Sequence, residues 1–162
     1  MLWLGGGSCH AYSEANELVN RGFGVVTSTH GRATIDEDHK ASLGAFNMTQ
    51  AASNIYSKSD LMIVVGSKLR GNETLNYNMK LPPLVQIDAK DFRGIRNYKL
   101  QKFIHGDSKK VLQKLIELLP NKLNTDKEFH SDIHQARLLS ESQLLKTLGP
   151  YENIAKTLNN IV

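Results

Sequence analysis

Three short apolar runs in this 162-residue chain end in residues of the kinds that contact nucleotides. Gly5–Gly7 closes one run, Gly66 closes another and Asp88 closes a third. Buried parallel strands have this form when a ligand-facing loop follows their carboxyl ends. Glycine N–H groups can approach a phosphate closely, and a carboxylate can accept hydrogen bonds from ribose hydroxyls. The spacing predicts an open α/β sheet with a binding crevice along its carboxyl edge.

Each of these features also has a structural interpretation. Gly5–Gly7 fits a tight turn from strand to helix, because His10 stands where the dinucleotide fingerprint needs its third glycine. Asp88 could equally cap the turn that follows it. Asp107 is better explained as the N-cap of a helix than as a ligand contact. For Gly5–Gly7 and Asp88 both interpretations stay open on the sequence alone.

Cationic residues follow the same strand ends. Lys68 and Arg70 come just after Gly66, and Arg32 lies in the long segment Ser28–Met48. A segment of that length inside a compact domain is usually a binding loop. These side chains could contact a phosphate or only water.

The chain offers little for catalysis. Ser8, Cys9 and His10 are adjacent on a turn, which rarely gives nucleophile geometry, and no orienting third group is evident. Nothing apolar surrounds the acidic run Asp36–Asp38, so a solvated turn is expected there. A single cysteine excludes an internal disulfide and a multi-cysteine metal site. We predict no catalytic residue and no metal ligand in this chain.

Composition limits the class of partner. Hydrophobic residues make up 40% of the chain, enough for a core, and the net charge is +4. The lysines and arginines are scattered without interleaved aromatics, so no nucleic-acid partner is predicted. No apolar run approaches the roughly 18 residues of a membrane span, and no secretory leader is visible. We expect a cytoplasmic protein without membrane contact.

Periodicity and turn residues predict strands that alternate with helices. The predicted strands lie within Met1–Gly7, Phe23–Thr27, Leu61–Gly66, Leu84–Ile87 and Lys102–His105. The predicted helices are Ala11–Asn20, Gln50–Ser57 and Lys109–Leu119, with one further helical turn at Asp91–Ile95.

After Pro120 the composition changes. Asn121–Ser131 is polar and free of glycine, like a linker, and a weaker helical pattern includes Ala136. Pro150 suits a first helical turn. The residues after it place apolar side chains on one helical face: Ile154, Ala155, Leu158 and Ile161. That unexplained apolar face, and a start directly inside a strand, predict that the chain was cut from a longer protein.

Six segments occur in the order and spacing of one known domain. They are Leu2–Gly7 (LWLGGG), Val25–Gly31 (VVTSTHG), Ile35–Gly44 (IDEDHKASLG), Asp60–Ser67 (DLMIVVGS), Val85–Asp88 (VQID) and Gly106–Asp107 (GD). Together they resemble the central domain of thiamine-diphosphate-dependent enzymes of the acetolactate synthase and benzoylformate decarboxylase type. The resemblance covers about residues 1–119.

The resemblance implies a fold and a division of the chain. The implied fold is a six-stranded parallel sheet with helices on both faces, Rossmann-like and of the DHS-like NAD/FAD-binding type. Residues 1–120 would form the central domain, 121–149 a linker, and 150–162 the first helix of a truncated diphosphate-binding domain.

The resemblance also implies that catalysis lies in the flanking domains. In the family a pyrimidine domain supplies a glutamate that activates the cofactor, and a diphosphate domain supplies a Gly-Asp-Gly…Asn metal motif. No Gly-Asp-Gly occurs here. Thiamine diphosphate and magnesium are therefore expected in the full-length enzyme and not in this chain. Its partners would be those two domains, within a homodimer or homotetramer.

In the family this central domain holds FAD, ADP or no nucleotide. The implied cofactor-binding positions are Gly6, Gly7, Ser8, Ser28, Thr29, Gly31, Met48, Gly66, Ser67, Lys68, Asp88 and Asp107. Two departures matter for flavin. Gly66–Asn72 lacks the family pattern Gly-x-Arg-Phe-Asp-Asp-Arg, and Phe46–Thr49 replaces Leu-Gly-Met-His. Loss of that arginine and of the close-approach glycine argues against tight FAD binding.

Three functions follow as hypotheses. The leading one is the middle domain of an enzyme that decarboxylates or carboligates 2-oxo acids, not catalytic in isolation. The second is a free-standing nucleotide-binding module that uses the crevice formed by Gly5–Gly7, Gly66 and Asp88. The third is a pure interaction domain, which would have no nucleotide affinity.

Overall fold

The computed structural model describes residues 1–91 and 98–159 as a parallel sheet enclosed by helices. The strands are β1 (Leu2–Leu4), β2 (Val25–Thr27), β3 (Met62–Val65), β4 (Leu84–Asp88) and β5 (Leu100–His105). The helices are α1 (Tyr12–Asn20), α2 (Gln50–Ser57), α3 (Ser108–Leu118), α4 (Phe129–Thr147) and α5 (Glu152–Asn159). The strand order is β2-β1-β3-β4-β5, and every neighbouring pair is parallel. The predicted α/β class is confirmed.

Alternation along the strands divides the core into two layers. Leu2 and Leu4 of β1 pack with α1 and α3 on one face of the sheet. Trp3 packs with α2 and α4 on the other face. Successive side chains of a strand point to opposite faces, so a continuous apolar run is what a strand covered on both sides requires.

The prediction of six strands is wrong, because the described part of the chain contains five. The Val25 N–H donates to the Ala41 carbonyl at 2.8 Å, and the Leu43 N–H donates to the Val25 carbonyl at 2.9 Å. These bonds make a single parallel bridge beside β2. Gly44, at φ +59°, then turns the chain away, and the Ser42 hydroxyl accepts from its N–H at 3.0 Å. This turn keeps the segment from extending into a sixth strand.

Arg21, directly after α1, ties α1 to α3. Its guanidinium donates to the carbonyls of Ile116 and Leu119 at 2.7 and 3.0 Å, and to the Glu17 carboxylate at 2.7 Å. The last carbonyls of a helix have no partner within the helix. A guanidinium placed there stabilises the end of α3 and holds both helices on the same face.

Thr49 both begins α2 and joins it to α4. Its Oγ1 accepts from the Ala52 N–H at 3.1 Å, which is an N-cap, and it lies 2.9 Å from the Ser140 hydroxyl. Ser140 is buried and also donates to the Ala136 carbonyl. One side chain thus fixes the start of α2 and the position of α4.

The segment after α3 packs along the amino edge of the sheet. The Leu123 N–H donates to the Arg21 carbonyl at 2.7 Å, and the Thr125 hydroxyl donates to the Gly22 carbonyl at 3.2 Å. On α4, Ile133 is fully buried in the core. The division of the chain at residues 120 and 150 stays a prediction. The structure adds that the middle segment contacts the sheet domain.

Two sequence expectations fall outside the described residues. The helical turn at Asp91–Ile95 falls mainly on residues 92–97, and Ile161 comes after residue 159. Within residues 1–91 and 98–159, every helix is too short or too polar to span a bilayer.

The substitution Thr49→Val tests the joint between α2 and α4. It removes the cap on the Ala52 N–H and leaves the buried Ser140 hydroxyl without that neighbour. We expect the free energy of unfolding to fall by about 1–2 kcal/mol in urea titrations. Thr147→Val is the matched control, because the Thr147 hydroxyl is exposed, and it should change stability by less than about 0.5 kcal/mol. Equal losses in the two variants would contradict the assigned role.

Candidate functional site

The loops at the carboxyl ends of β1, β2, β3 and β4 surround a cavity of about 430 Å³, called the crevice below. It opens where the strand order reverses between β1 and β3, the position at which open parallel sheets bind ligands. Its lining residues are Gly6, Gly7, Ser28, His30, Gly66, Ser67, Lys68, Arg70, Glu73, Asp88, Ala89, Lys90 and Ser108.

The base of the crevice is a contact between two backbone turns. The Gly5 N–H donates to the Val65 carbonyl at 2.8 Å, and the Gly7 N–H donates to the Gly66 carbonyl at 3.0 Å. The Ser8 N–H donates to the Gly5 carbonyl at 3.0 Å. These three N–H groups are occupied within the protein and are not directed at a phosphate. Of the two interpretations of Gly5–Gly7, the geometry supports the tight turn.

Close backbone approach requires glycine at three of the predicted binding positions, Gly7, Gly31 and Gly66. Gly66 has φ +61°, and a Cβ on it would lie 2.5 Å from backbone atoms of Gly7. A Cβ on Gly31 would lie 2.0 Å from the Leu4 carbonyl oxygen. Glycine alone tolerates such contacts. These glycines therefore hold the carboxyl-edge turns together.

Seven of the twelve predicted cofactor-binding residues line the crevice: Gly6, Gly7, Ser28, Gly66, Ser67, Lys68 and Asp88. The other five do not line it: Ser8, Thr29, Gly31, Met48 and Asp107. Ser8 is buried, and its hydroxyl donates to the Gly5 carbonyl at 2.7 Å. Met48 is 42% exposed in the loop before α2, and Thr29 is exposed in the turn after β2. A cofactor contact by any of the twelve stays a prediction.

Five lining residues were not named individually from the sequence: His30, Glu73, Ala89, Lys90 and Ser108. His30 lies between the predicted residues Thr29 and Gly31, and Ala89, Lys90 and Ser108 lie one or two residues after a predicted position, so the sequence indicated these loops but not these side chains. Glu73 had no such signal, because an irregular segment brings it to the crevice. Arg70, for which the sequence left a phosphate contact open, also lines the crevice.

The two acidic residues predicted at strand ends cap the structure that follows each of them. Asp88 Oδ1 accepts from the Lys90 N–H at 2.9 Å. Asp107 Oδ1 accepts from the Lys110 N–H at 3.1 Å, as the N-cap of α3, and its Oδ2 lies 2.9 Å from His10 Nε2. The bond from Lys110, and then that with His10, holds the pKa of Asp107 below its ordinary value. The cap interpretation of Asp107 is confirmed, whereas Asp88 both caps a turn and faces the crevice.

Cys9 and His10 do not form a nucleophile–base pair. Cys9 Sγ donates to the His30 carbonyl at 3.4 Å, whereas His10 turns to Asp107. The Ser108 hydroxyl approaches the same His10 Nε2 atom at 3.3 Å. A Ser-His-Asp triad needs the hydroxyl and the carboxylate on different ring nitrogens. The cluster therefore joins α3 to the turn after β1 and lacks the geometry of a triad.

A chain of hydrogen bonds holds the side of the crevice formed by the loop after β3. The Tyr56 hydroxyl donates to the Asn47 carbonyl at 2.9 Å, and Asn47 Nδ2 donates to the Glu73 carbonyl at 2.7 Å. Tyr56 and Asn47 are both buried. The Ser67 hydroxyl donates to the Glu73 carboxylate at 3.4 Å where both line the crevice. These bonds fix the segment that carries Arg70 and Glu73.

Backbone strain is concentrated in the same segment. Leu69, Leu75, Asn76 and Tyr77 have φ angles of +47°, +51°, +53° and +66°. Such conformations cost on the order of 1–3 kcal/mol each in non-glycine residues and persist only where the surroundings impose them. Here the Asn76 N–H donates to the Gly71 carbonyl at 2.8 Å, and the Leu69 N–H donates to the Ser67 hydroxyl at 3.1 Å. These hydrogen bonds hold the backbone on this side of the crevice in a strained conformation.

A parallel sheet in this strand order, with glycine turns and a crevice at its reversal point, defines an α/β domain of Rossmann-like architecture. The family model for the central domain of thiamine pyrophosphate enzymes matches residues 1–115. The chain belongs to this family, as the resemblance predicted. No curated protein matches the chain.

Membership of the family implies thiamine diphosphate in the full enzyme. Residues 1–91 and 98–159 offer no site that fits that cofactor. The sequence has no Gly-Asp-Gly, and no three His, Cys, Asp or Glu side chains gather as metal ligands in residues 1–91 and 98–159. A diphosphate–metal site therefore has no donor set among the residues that the structure describes.

The substitution Gly66→Ala tests the contact between the two turns. Alanine at φ +61° carries a left-handed penalty of about 1 kcal/mol, and its Cβ would collide with Gly7, so we expect a total loss of about 3 kcal/mol. Gly44→Ala is the matched control: its φ is +59°, and its nearest contact would be an ordinary 3.8 Å. The control should lose only about 1 kcal/mol in urea titrations. The same loss in both variants would show that the contact is unimportant.

Burial of the Tyr56 hydroxyl makes the stability of the folded domain depend on pH in the alkaline range. Burial raises the pKa of the Tyr56 hydroxyl well above its ordinary value, so the folded state keeps this proton. The resulting stabilisation is complete below about pH 10, the value in the unfolded chain, and is lost as the pH rises beyond it. Tyr56→Phe should lower the free energy of unfolding by about 1 kcal/mol at pH 8 and should show a shallower decline above pH 10.

The control for this prediction is Tyr151→Phe, because Tyr151 is 67% exposed. Its stability should match that of the unsubstituted chain at pH 8 and follow the same decline. Parallel pH profiles for Tyr56→Phe and the unsubstituted chain, measured by urea titration between pH 8 and 11, would contradict the role of Tyr56.

Proposed function

We propose that this chain is the central domain of a thiamine-diphosphate-dependent enzyme of the acetolactate synthase type, which decarboxylates or carboligates 2-oxo acids. The observation that carries the proposal is the family match over residues 1–115 in a chain without Gly-Asp-Gly. Six ordered sequence segments that resemble this enzyme type support the finer assignment. The chain itself supplies no catalytic group under this proposal.

The proposed role of the domain is to space and orient the two catalytic domains. Two features support a rigid spacer. The turns after β1 and β3 are joined by backbone hydrogen bonds, and Thr49 and Arg21 lock the helices of each face together. The proposed partners are the pyrimidine and diphosphate domains of the same enzyme, within a homodimer or homotetramer that uses magnesium. A cytoplasmic location belongs to the proposal, supported by the single cysteine.

Expression of the complete reading frame that contains this chain tests the proposal. With thiamine diphosphate and magnesium, the product should release CO2 from a 2-oxo acid such as pyruvate, and omission of the cofactor should abolish the release. The 162-residue chain alone is the matched control and should release none. A folded full-length product without thiamine-dependent turnover on a panel of 2-oxo acids would refute the assignment. So would a reading frame that encodes only residues 1–162.

Nucleotide binding in the crevice is a second candidate function. The favouring observation is its position at the reversal point of the sheet, together with the cationic side chains of Lys68, Arg70 and Lys90 in its lining. This function could accompany the spacer role or replace it in a free-standing module. A pure interaction domain, in contrast, would show no nucleotide affinity.

A further inference from the structure

We propose that a groove between α1 and α3 binds a primary alkylammonium ion, which donates its N–H groups to the carboxylate of Glu14. This groove, called the acidic groove below, is a cavity of about 360 Å³ between the two helices that cover one face of the sheet. It shares no lining residue with the crevice. Its lining residues are Ser13, Glu14, Glu17, Gln113, Ile116 and Glu117.

Helical spacing brings the side chains of the acidic groove together. Glu14 and Glu17 are three residues apart on α1, and Gln113 and Glu117 are four residues apart on α3. Residues three or four apart lie on one face of a helix. Where the two faces meet, Gln113 Nε2 donates to Glu14 Oε1 at 2.8 Å. The packing of α1 against α3 therefore gathers three carboxylates in one groove.

Glu14 is buried without a compensating charge among the described residues. Only 7% of the residue is exposed. Its Oε1 accepts from the neutral amide of Gln113, and its buried Oε2 has no hydrogen-bond partner in residues 1–91 and 98–159. Burial of a carboxylate without a cation is unfavourable, because the lost hydration is not replaced. A cation bonded to Glu14 would restore the lost electrostatic stabilisation.

The other two carboxylates of the acidic groove already have cations. Arg21 Nε donates to Glu17 Oε1 at 2.7 Å, and Lys114 Nζ donates to Glu117 Oε2 at 2.5 Å. A carboxylate has about four lone-pair sites, so both groups can accept further hydrogen bonds. The uncompensated charge of the groove is therefore that of Glu14, with additional acceptors around it.

The remaining lining residues indicate which cation fits. The exposed side chain of Gln113 places a neutral N–H donor at the position that an ammonium N–H would take on Glu14, and it can rotate aside into solvent. Ile116 offers an apolar contact for methylene groups. An alkylammonium ion has three N–H donors on an aliphatic stem and matches both features.

A metal ion does not match the acidic groove. In the part of the chain that the structure describes, no three His, Cys, Asp or Glu side chains lie close enough together to hold one. An organic ammonium ion needs no such compact donor set, because its N–H groups are separate hydrogen-bond donors. A free polyamine and a lysine side chain of another protein share this chemistry.

NMR titration of the whole 162-residue chain with spermidine at low salt tests the inference. Saturable shifts should appear at the backbone amides of α1 and α3. E14Q should weaken spermidine binding at least about tenfold, because it removes the charge that the ammonium group pairs with. E128Q is the matched control: it removes the same charge from an exposed residue outside the acidic groove and should leave the affinity unchanged. Tetramethylammonium, which has no N–H donor, should bind at least about tenfold more weakly than spermidine.

Q113K gives a test of opposite sign, because it supplies the ammonium group from the chain itself. Lysine at this exposed position can reach Glu14 in place of the amide. Spermidine binding should then be lost, and the melting temperature should rise by about 2–4 °C, a gain that a folding defect would not produce. Q143K is the matched control, since Gln143 is exposed on α4, and it should change neither quantity.

Two further amines distinguish the sources of the ligand, with n-butylamine as the reference for a single ammonium group on an aliphatic stem. A larger gain over n-butylamine for spermidine shows that additional ammonium groups are bound and assigns the site to a polyamine. A larger gain for Nα-acetyl-lysine methylamide shows that peptide groups are bound and assigns it to a lysine of another protein.

Any of four results would overturn the inference. They are equal spermidine affinities of E14Q and E128Q, tetramethylammonium binding as tight as spermidine binding, unchanged spermidine binding by Q113K, and the absence of saturable shifts at millimolar spermidine. All four leave the thiamine-enzyme proposal and the second candidate function standing, because neither depends on the acidic groove.

Discussion

The contact between the turns after β1 and β3 is the constraint on which the rest of this domain depends. A Cβ on Gly5, Gly7 or Gly66 would lie within 3 Å of backbone atoms of the opposite turn. The two central strands of the sheet therefore end in loops that touch through their backbones, and the turn after β1 donates hydrogen bonds to the carbonyls of Val65 and Gly66. This contact gives the carboxyl edge a fixed geometry, and it consumes the N–H groups that a glycine-rich turn otherwise offers to a phosphate.

Both a spacer domain and a ligand crevice require that the carboxyl edge of the sheet does not deform. Asn47 and Tyr56 hold one side of the crevice from beneath, while His10, Asp107 and Ser108 join α3 to the first turn. Side chains that project from this frame, Arg70 and Lys90 among them, can then vary without disturbing it.

Local signals were enough to predict the five strands, the helix that begins after Asp107, and the α/β class. Apolar runs, glycine turns and capping residues act within a few positions of the chain. Contacts between distant segments could not be predicted. The burial of Ile133 depends on where α4 docks, and the approach of Glu73 depends on a strained turn held by Asn47. The resemblance implied six strands without placing the sixth, and the segment beside β2 makes only one bridge before Gly44 turns the chain away.

The bridge beside β2 also determines how the sheet meets other molecules. An open strand edge offers unpaired N–H and carbonyl groups to a second chain and can seed aggregation. Both backbone groups of Val25 are already bonded to Ala41 and Leu43, so this edge is covered by the chain's own loop. At the opposite edge, β5 exposes Gln101 and Lys102. Cationic side chains on an edge strand disfavour the addition of another strand. The sheet is thus protected from intermolecular growth by coverage at one edge and by charge at the other.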